Sequence, residues 1–336
     1  MTAIALTRIA GLVPLSDHVK GYSRLIPVSP DVIGRIGEGT TEQFRESSEV
    51  YDQRYFKVDS KVTTLRQAFG LFPGLAVEGF EDILDIGCGS GNATFALLEL
   101  APNSSVHATD ISPDMVSLLA SRAEKWALAD RIVAFVSDAE KVKLNPGTFD
   151  LIVGSSMVHH LNDPDTFIDR VLEAIKPGGL CVLLEPMKAG HLILRHFITA
   201  IASLDELSAG IPENIRSFFK TYTFTIDAMC AADRTAIDYS QLDDKWMFSR
   251  VFFEEAAERN AAQFRFFATD PAPRRFAANI EQLVSVGLGI EWSLPEPARS
   301  FVKSFDDSLP ADAVDELAST ACIVFRKSGS GFNQLG

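Results

Sequence analysis

The sequence predicts an α/β fold built on a mostly parallel sheet, with a helical segment ahead of it and a helical insertion within it. Three observations carry that expectation. From residue 82 onward, short apolar runs bounded by Gly, Pro, Asn or Asp alternate with longer amphipathic stretches, the pattern of βα units. The first of these runs closes on a glycine-rich turn at 87–91 that opens a helix. The rhythm then breaks after Pro186, where 190–240 reads as helical.

Ahead of the sheet, Phe44, Val50, Tyr51, Tyr55, Phe56, Val62, Leu65, Phe69 and Leu71 recur at loose helical spacing, so residues 1–78 are expected to form a helical cap. Strands are expected at Ile83–Gly87, Val106–Thr109, Ile132–Val136, Leu151–Gly154 and Leu180–Leu184. Helices at Ala93–Leu100, Pro113–Ala127 and Pro164–Ala174 lie between them, with Ser112 before Pro113 as a start signal. Pro177, Gly178 and Gly179 read as a helix stop and turn that feed the fifth strand. The insertion, 189–245, carries helices at Leu192–Leu204 and Pro212–Ala232. A helix at Phe252–Ala262, a strand at Phe264–Thr269 and a final strand at Ala321–Arg326 follow, and the long stretch between those two strands implies another helical excursion. The sheet domain is therefore expected to comprise 79–188 and 246–336.

Composition narrows the partners. The 336 residues carry 31 Lys plus Arg against 45 Asp plus Glu, a net charge of −14, whereas affinity for phosphate backbones needs clustered Lys and Arg. Nucleic acid is not expected as a partner. Cys88, Cys181, Cys230 and Cys322 show no CxxC spacing and no dense framework, so a reducing, cytoplasmic compartment is expected. The first residues lack a basic stretch ahead of an unbroken apolar run, and no apolar run approaches the roughly 18 residues that span a bilayer. Neither a signal peptide nor a membrane is expected.

The chemistry is concentrated in ILDIGCGSGNAT, residues 83–94. A strand ends there in Gly87, Cys88, Gly89, Ser90 and Gly91, where the backbone must turn sharply and admit a ligand with no Cβ in the way. The spacing is GxGxG, and Asn92 stands where a dinucleotide fold would place its third glycine. Asp110 ends the second strand, 19 positions after Gly91, where an acidic side chain accepts hydrogen bonds from both hydroxyls of a ribose. With Asp85 two residues before the first glycine, this resembles motif I of the class I S-adenosylmethionine-dependent methyltransferases. The likeness runs in order over 82–188: Asp138 and Ala139 end the third strand, Asp150 precedes the fourth, His159 and His160 follow it, and Lys176 opens the Pro-Gly-Gly turn.

That resemblance implies a Rossmann-like, seven-stranded sheet and an enzyme that transfers a methyl group from S-adenosylmethionine, releasing S-adenosylhomocysteine. It implies cofactor contacts at Asp85, Gly87, Cys88, Gly89, Gly91, Asp110, Ile111, Asp138, Ala139 and Ser155. Tyr51, on the preceding helix, is a further candidate, because an aromatic face suits a sulfonium cation. The expected acceptor is a small molecule methylated most readily at oxygen. Alternatives are a methyltransferase acting on a protein or RNA, and a non-catalytic scaffold that binds the cofactor. A nicotinamide oxidoreductase is disfavoured by Asn92 and by the lack of a Tyr-x-x-x-Lys pair, and a nucleic-acid amino-methyltransferase by Gly154, Ser155, Ser156 and Met157 after the fourth strand.

A hydroxyl acceptor needs a base, and histidine suits that role near neutral pH. His159 and His160 lie just past the fourth strand, at the carboxyl edge where ligands bind open α/β sheets, and His191 follows the fifth. No HExxH or paired Cys/His spacing calls for a metal. Phe218, Phe219, Tyr222 and Phe224 are expected to line an apolar acceptor site under a lid formed by the insertion. The same aromatics would suit a dimerisation surface, so a homodimer is the competing expectation.

Overall fold

Every position of Asp82–Ile86 (β1) is buried, as a central strand covered on both faces requires. The computed structural model describes residues 12–14, 27–35, 52, 56–231, 233–239, 242–270, 276–310, 313 and 315–329. Around β1 lie Ser105–Asp110 (β2), Ile132–Val136 (β3), Phe149–Ser155 (β4), Ile175–Pro186 (β5), Ala262–Ala268 (β6) and Thr320–Lys327 (β7). The sheet order is β3-β2-β1-β4-β5-β7-β6. The pairs β1·β2, β1·β4, β2·β3 and β4·β5 are parallel. The last two strands run in opposite directions. Thr269 N–H donates to Thr320 C=O at one end, and Ser328 Oγ–H donates to Ala261 C=O at the other.

The seven expected strands are thus present, and the sheet is wider than expected by two strands of two residues each. Pro27–Val28 pairs in parallel with β3 through Val28 and Val136, and Val13–Pro14 pairs antiparallel with Pro27–Val28. Val28, Val32, Val116 and Val136 bury one another on this edge, an isolated contact that alternation in the sequence does not announce. The fifth strand also begins five residues earlier than expected. Phe149 pairs with Ile175 and Leu151 with Leu180, so Lys176–Gly179 is a bulge inside β5. A Cβ on Gly179 would lie 2.6 Å from the Asp150 carbonyl oxygen, which excludes any other residue there.

Helices Val58–Gly70 (α1), Asn92–Leu100 (α2), Pro113–Lys125 (α3) and Pro164–Ala174 (α4) belong with this sheet. Ser112 Oγ caps α3 by accepting from Met115 N–H, and Asp163 caps α4 by accepting from Thr166 N–H at 3.0 Å. At the amino edge of the sheet, Lys176 Nζ donates to both oxygens of Asp150 and to Asp82 Oδ2, at 2.9 to 3.1 Å.

The chain divides into two compact units: Met1–Leu184 with Glu254–Arg265 and Ile323–Gly336, and Glu185–Phe253 with Phe266–Cys322. This division groups 266–322, which the sequence reading assigned to the sheet domain, with the expected insertion. The second unit contains Lys188–Ser203 (α5), Asp205–Ser208 (α6), Glu213–Met229 (α7), Phe276–Leu288 (α9) and Glu296–Ser308 (α10), while Arg250–Arg259 (α8) crosses the division. Its core joins Phe197, Ile201, Phe219 and Ile226 to Phe276, Ile280 and Val302. Phe219 and Tyr222 are therefore core residues of this unit, and Phe224 is 74% exposed. The expected four-residue aromatic lining is divided by helical geometry, since positions 219, 222 and 226 share the buried face of α7 and 224 lies on the opposite one. Among the described residues, no helix is long and apolar enough to cross a membrane.

Candidate functional site

β1 ends at Ile86 and α2 begins at Asn92, so five residues must reverse the chain. Gly87 and Gly89 adopt φ of +70° and +52°, which only glycine reaches without strain. At Gly87 space gives a second reason, since a Cβ would lie 2.7 Å from Met157 Cβ. At Gly89 no described residue lies within 4 Å of the corresponding position, so among the described residues the loop presents bare backbone there. β2 holds the turn in place: Gly87 and Cys88 N–H both donate to the Thr109 carbonyl, at 2.8 and 2.9 Å.

Asp110 completes that attachment. Its Oδ2 accepts from Gly89 N–H and its Oδ1 from Ser112 N–H, each at 2.9 Å, and the backbone N–H of Ile111 also donates to the carboxylate. Burial pushes this carboxyl up, opposed by hydrogen bonds from the Ser112, Gly89 and Ile111 N–H groups and by the neighbouring His160 ring. Asp85 is 0% exposed. Its Oδ2 accepts from Thr94 Oγ1 at 2.5 Å, while Oδ1 has no partner among the described residues. Burial lifts Asp85 to about 7; the Thr94 hydrogen bond opposes this, the Asp110 charge adds to it, and the Lys61 charge opposes it. Cys88 is held neutral beside them, its thiol raised by burial and by both carboxylates.

The remaining candidates flank this centre. Asp138, at the end of β3, accepts from Glu140 N–H at 2.9 Å, and Lys141 Nζ lies 3.7 Å from its other oxygen. Arg170 fixes the same loop by donating to the carbonyls of Ala139 and Glu140. Ile111 is partly buried against Val28, Val32, Val116 and Val136. Ser155 ends β4 and accepts from Lys61 Nζ of α1 at 2.7 Å. Ser156 then takes φ +56°, a left-handed turn that costs a serine energy, with its N–H donating to Leu184 C=O. The turn leads into Val158–His160, where His159 is buried and its ring centroid lies 4.0 Å from that of His160.

Asp85, the glycine turn, Asp110, Ile111, Asp138, Ala139, Ser155, His159 and His160 thus share the first unit, around its carboxyl edge. His191 belongs to the second unit, where its Nδ1 lies 2.7 Å from Tyr222 Oη. Tyr51 lies outside the described residues. Its neighbour Asp52 is buried in an ion pair with Arg122, whose guanidinium also donates to Ser90 C=O at 3.2 Å and stacks 3.7 Å over Phe56. Lys61, Thr94, Asp52 and Arg122 were missed from the sequence. A Thr nine residues after Asp85 could have been found from helix geometry, whereas the other three carry no local signal.

Among the described residues, the uncovered Gly89 backbone, the buried Asp85 oxygen without a partner and the Asp110 carboxylate at the strand end fit a ligand with a ribose and a cationic group. Residues 84–181 match the family model described as a methyltransferase domain. An uncharacterized protein of Synechococcus sp. is 34% identical over 122 residues, 36% of this chain and 29% of that protein. The ubiquinone biosynthesis O-methyltransferase of Colwellia psychrerythraea is 28% identical over 137 residues, 40% of this chain and 53% of that protein. The chain thus spans about half or less of the length of these curated relatives. Among solved structures, Haemonchus contortus phosphoethanolamine N-methyltransferase 2 in complex with S-adenosyl-L-methionine superposes with a TM-score of 0.52 at 18% identity, covering 89% of this chain and 59% of that one. The fold is that of the class I S-adenosylmethionine-dependent methyltransferases.

Proposed function

We propose that the chain binds S-adenosylmethionine at the carboxyl edge of β1–β4 and transfers its methyl group to an oxygen of a small-molecule acceptor. The observation that carries this reading is the glycine turn tied by Gly89 N–H to the Asp110 carboxylate, with no described residue within 4 Å of a Cβ position on Gly89. The match of 84–181 to a methyltransferase domain supports it, as does the O-methyltransferase relative. In this reading Asp110 accepts from the ribose hydroxyls, Asp138 and Ala139 face the adenine, and the 87–91 backbone receives the chain linking nucleoside to sulfur.

When bound, the cofactor supplies a methyl group already activated by a sulfonium. The work left to the protein is to orient the acceptor, exclude water and take up a proton. His159 and His160 are the proposed proton acceptors of the first unit, and His191 is the alternative. A cytoplasmic setting is part of the same proposal.

Calorimetry with S-adenosylhomocysteine, followed by transfer of labelled methyl to a panel of hydroxylated small molecules, tests the proposal. Binding in the micromolar range with transfer to at least one hydroxyl is expected. Binding without turnover on any hydroxyl, amine or thiol would favour a cofactor-binding scaffold, and tighter binding of NAD would overturn the reading.

A further inference from the structure

The loops after β3 and after β4 leave strands that β2 and β1 separate, about 14 Å apart at the usual strand spacing. One side chain nevertheless joins them. Glu140 Oε1 accepts from the backbone N–H groups of Asn162 and Asp163, at 2.9 and 3.0 Å, and its Oε2 accepts from Asn162 Nδ2 at 2.8 Å. Asn162 follows directly on the histidine turn Val158–His160, which closes through Leu161 N–H to the Val158 carbonyl. Hydrogen bonds to a carboxylate are short and strong, and three of them from adjacent groups fix the direction of that segment as well as its place.

Each end of this link is itself held. On the β3 side Asp138 Oδ1 accepts from Glu140 N–H at 2.9 Å, and Lys141 and Val142 N–H donate to the Asp138 carbonyl at 3.0 and 2.8 Å. On the β4 side Asp163 caps α4. Arg170, two turns further along that helix, reaches back to the carbonyls of Ala139 and Glu140. The Glu140 side chain, Asn162 and Asp163, α4, Arg170 and the 139–140 backbone therefore form a closed ring within the first unit.

In the cofactor reading Asp138 and Ala139 face the adenine, while His159 and His160 are the proposed proton acceptors. Transfer chemistry is sensitive to placement, a shift of about 1 Å costing on the order of 10²-fold in rate. We propose that Glu140 is a positioning residue that fixes the His159–His160 turn to the adenine-facing loop, so that bound cofactor and proton acceptor are held in one frame; the inference rests on the cofactor reading above. Glu140 acts through the turn and touches neither cofactor nor acceptor.

The test compares Glu140→Ala, which removes all three bonds, with Glu140→Gln, which keeps an acceptor oxygen for the two backbone N–H groups. Three measurements are made on the full chain: calorimetry with S-adenosylhomocysteine, labelled methyl transfer to the hydroxylated compound that the wild type methylates fastest, and nitrogen NMR of the histidine rings. His159→Gln and His160→Gln assign the ring signals by their loss. Glu140→Ala should lower kcat about 10²-fold and split or broaden the His159 and His160 signals. Its affinity for S-adenosylhomocysteine should stay within about threefold of wild type, because the 138–142 loop keeps its own bonds to Asp138 and Arg170. Glu140→Gln should restore single ring signals and bring kcat to within about tenfold of wild type. Should Glu140→Ala not fold, Asn162→Ala removes the Oε2 bond alone and should lower kcat about threefold to tenfold with cofactor affinity unchanged. A lowered thermal transition with unchanged ring signals or unchanged kcat would mean that Glu140 only ties two loops together, and would overturn the inference. An equal fall in kcat and in cofactor affinity would overturn it as well. Failure of the wild type to bind S-adenosylhomocysteine, or to methylate any hydroxyl, would instead overturn the reading on which the inference rests, and the inference with it.

Discussion

Gly89 N–H donates to Asp110 Oδ2 at 2.9 Å, so the carboxylate that ends the second strand also shapes the turn that ends the first. One side chain is therefore positioned both to hold the turn and to meet a ligand, and its replacement should act on both.

Asp110→Ala is expected to weaken S-adenosylhomocysteine binding by about 1 to 3 kcal/mol, the usual loss for buried hydrogen bonds to a charged group. Calorimetry reads the affinity directly. An unchanged affinity would mean that the carboxylate serves the turn alone.

Cofactor affinity should depend on pH through Asp85. Its carboxyl is raised to about 7 in the ligand-free protein, chiefly by burial, so below that pH it is mostly protonated. A cationic ammonium favours the ionised form, so binding must release a proton there. The affinity for S-adenosylhomocysteine should rise from pH 5.5 to about 7.5 and then level off, and calorimetry in buffers of different ionisation enthalpy should detect the released proton. In the free protein the sign is opposite: a raised carboxyl binds more protons folded than unfolded, so stability falls as pH climbs from about 4 toward 7. Asp85→Asn should remove that fall.

The ion pair of Asp52 with Arg122 joins the segment before α1 to the glycine turn. Burial raises the Asp52 carboxyl, but hydrogen bonds from Arg122 and Ser90 and the Arg122 charge prevail and hold it below its ordinary value. The resulting stability is present above an unfolded pKa near 4 and is lost as pH falls through the lower folded value. Asp52→Asn should therefore destabilise the protein by about 1 to 3 kcal/mol at pH 7, and the difference from wild type should shrink toward pH 2. Urea unfolding across that range checks it.

His159→Gln and His160→Gln separate proton transfer from cofactor binding. The variant that removes the base should lower methyl transfer by about 10²-fold or more while leaving S-adenosylhomocysteine affinity nearly unchanged. Full activity in both variants would direct attention to His191.

Phe219 is 1% exposed inside the helical core of the second unit. Phe219→Ala should cost about 3 to 5 kcal/mol of stability, seen as a lowered thermal transition. A variant of unchanged stability with lost acceptor binding would restore the lining role read from the sequence.

The central part of the fold was legible because its determinants are local. Continuous apolar runs mark strands buried on both faces, Ser112 and Asp163 announce helix starts, and the glycines at 87, 89 and 91 declare a turn that other residues would strain. Asp110 could be found because the length of one βα unit sets its distance from that turn. What the tertiary structure alone decided depends on pairs far apart in the chain. Lys61 meets Ser155 across 94 positions, and Asp52 meets Arg122 across 70. The 266–322 segment completes a core with 185–253 that neither stretch displays alone. Hydrophobic periodicity reports which face of an element is buried, not which distant element covers it. A lone lysine on an amphipathic helix therefore reads as solvated until the sheet beneath it is in place.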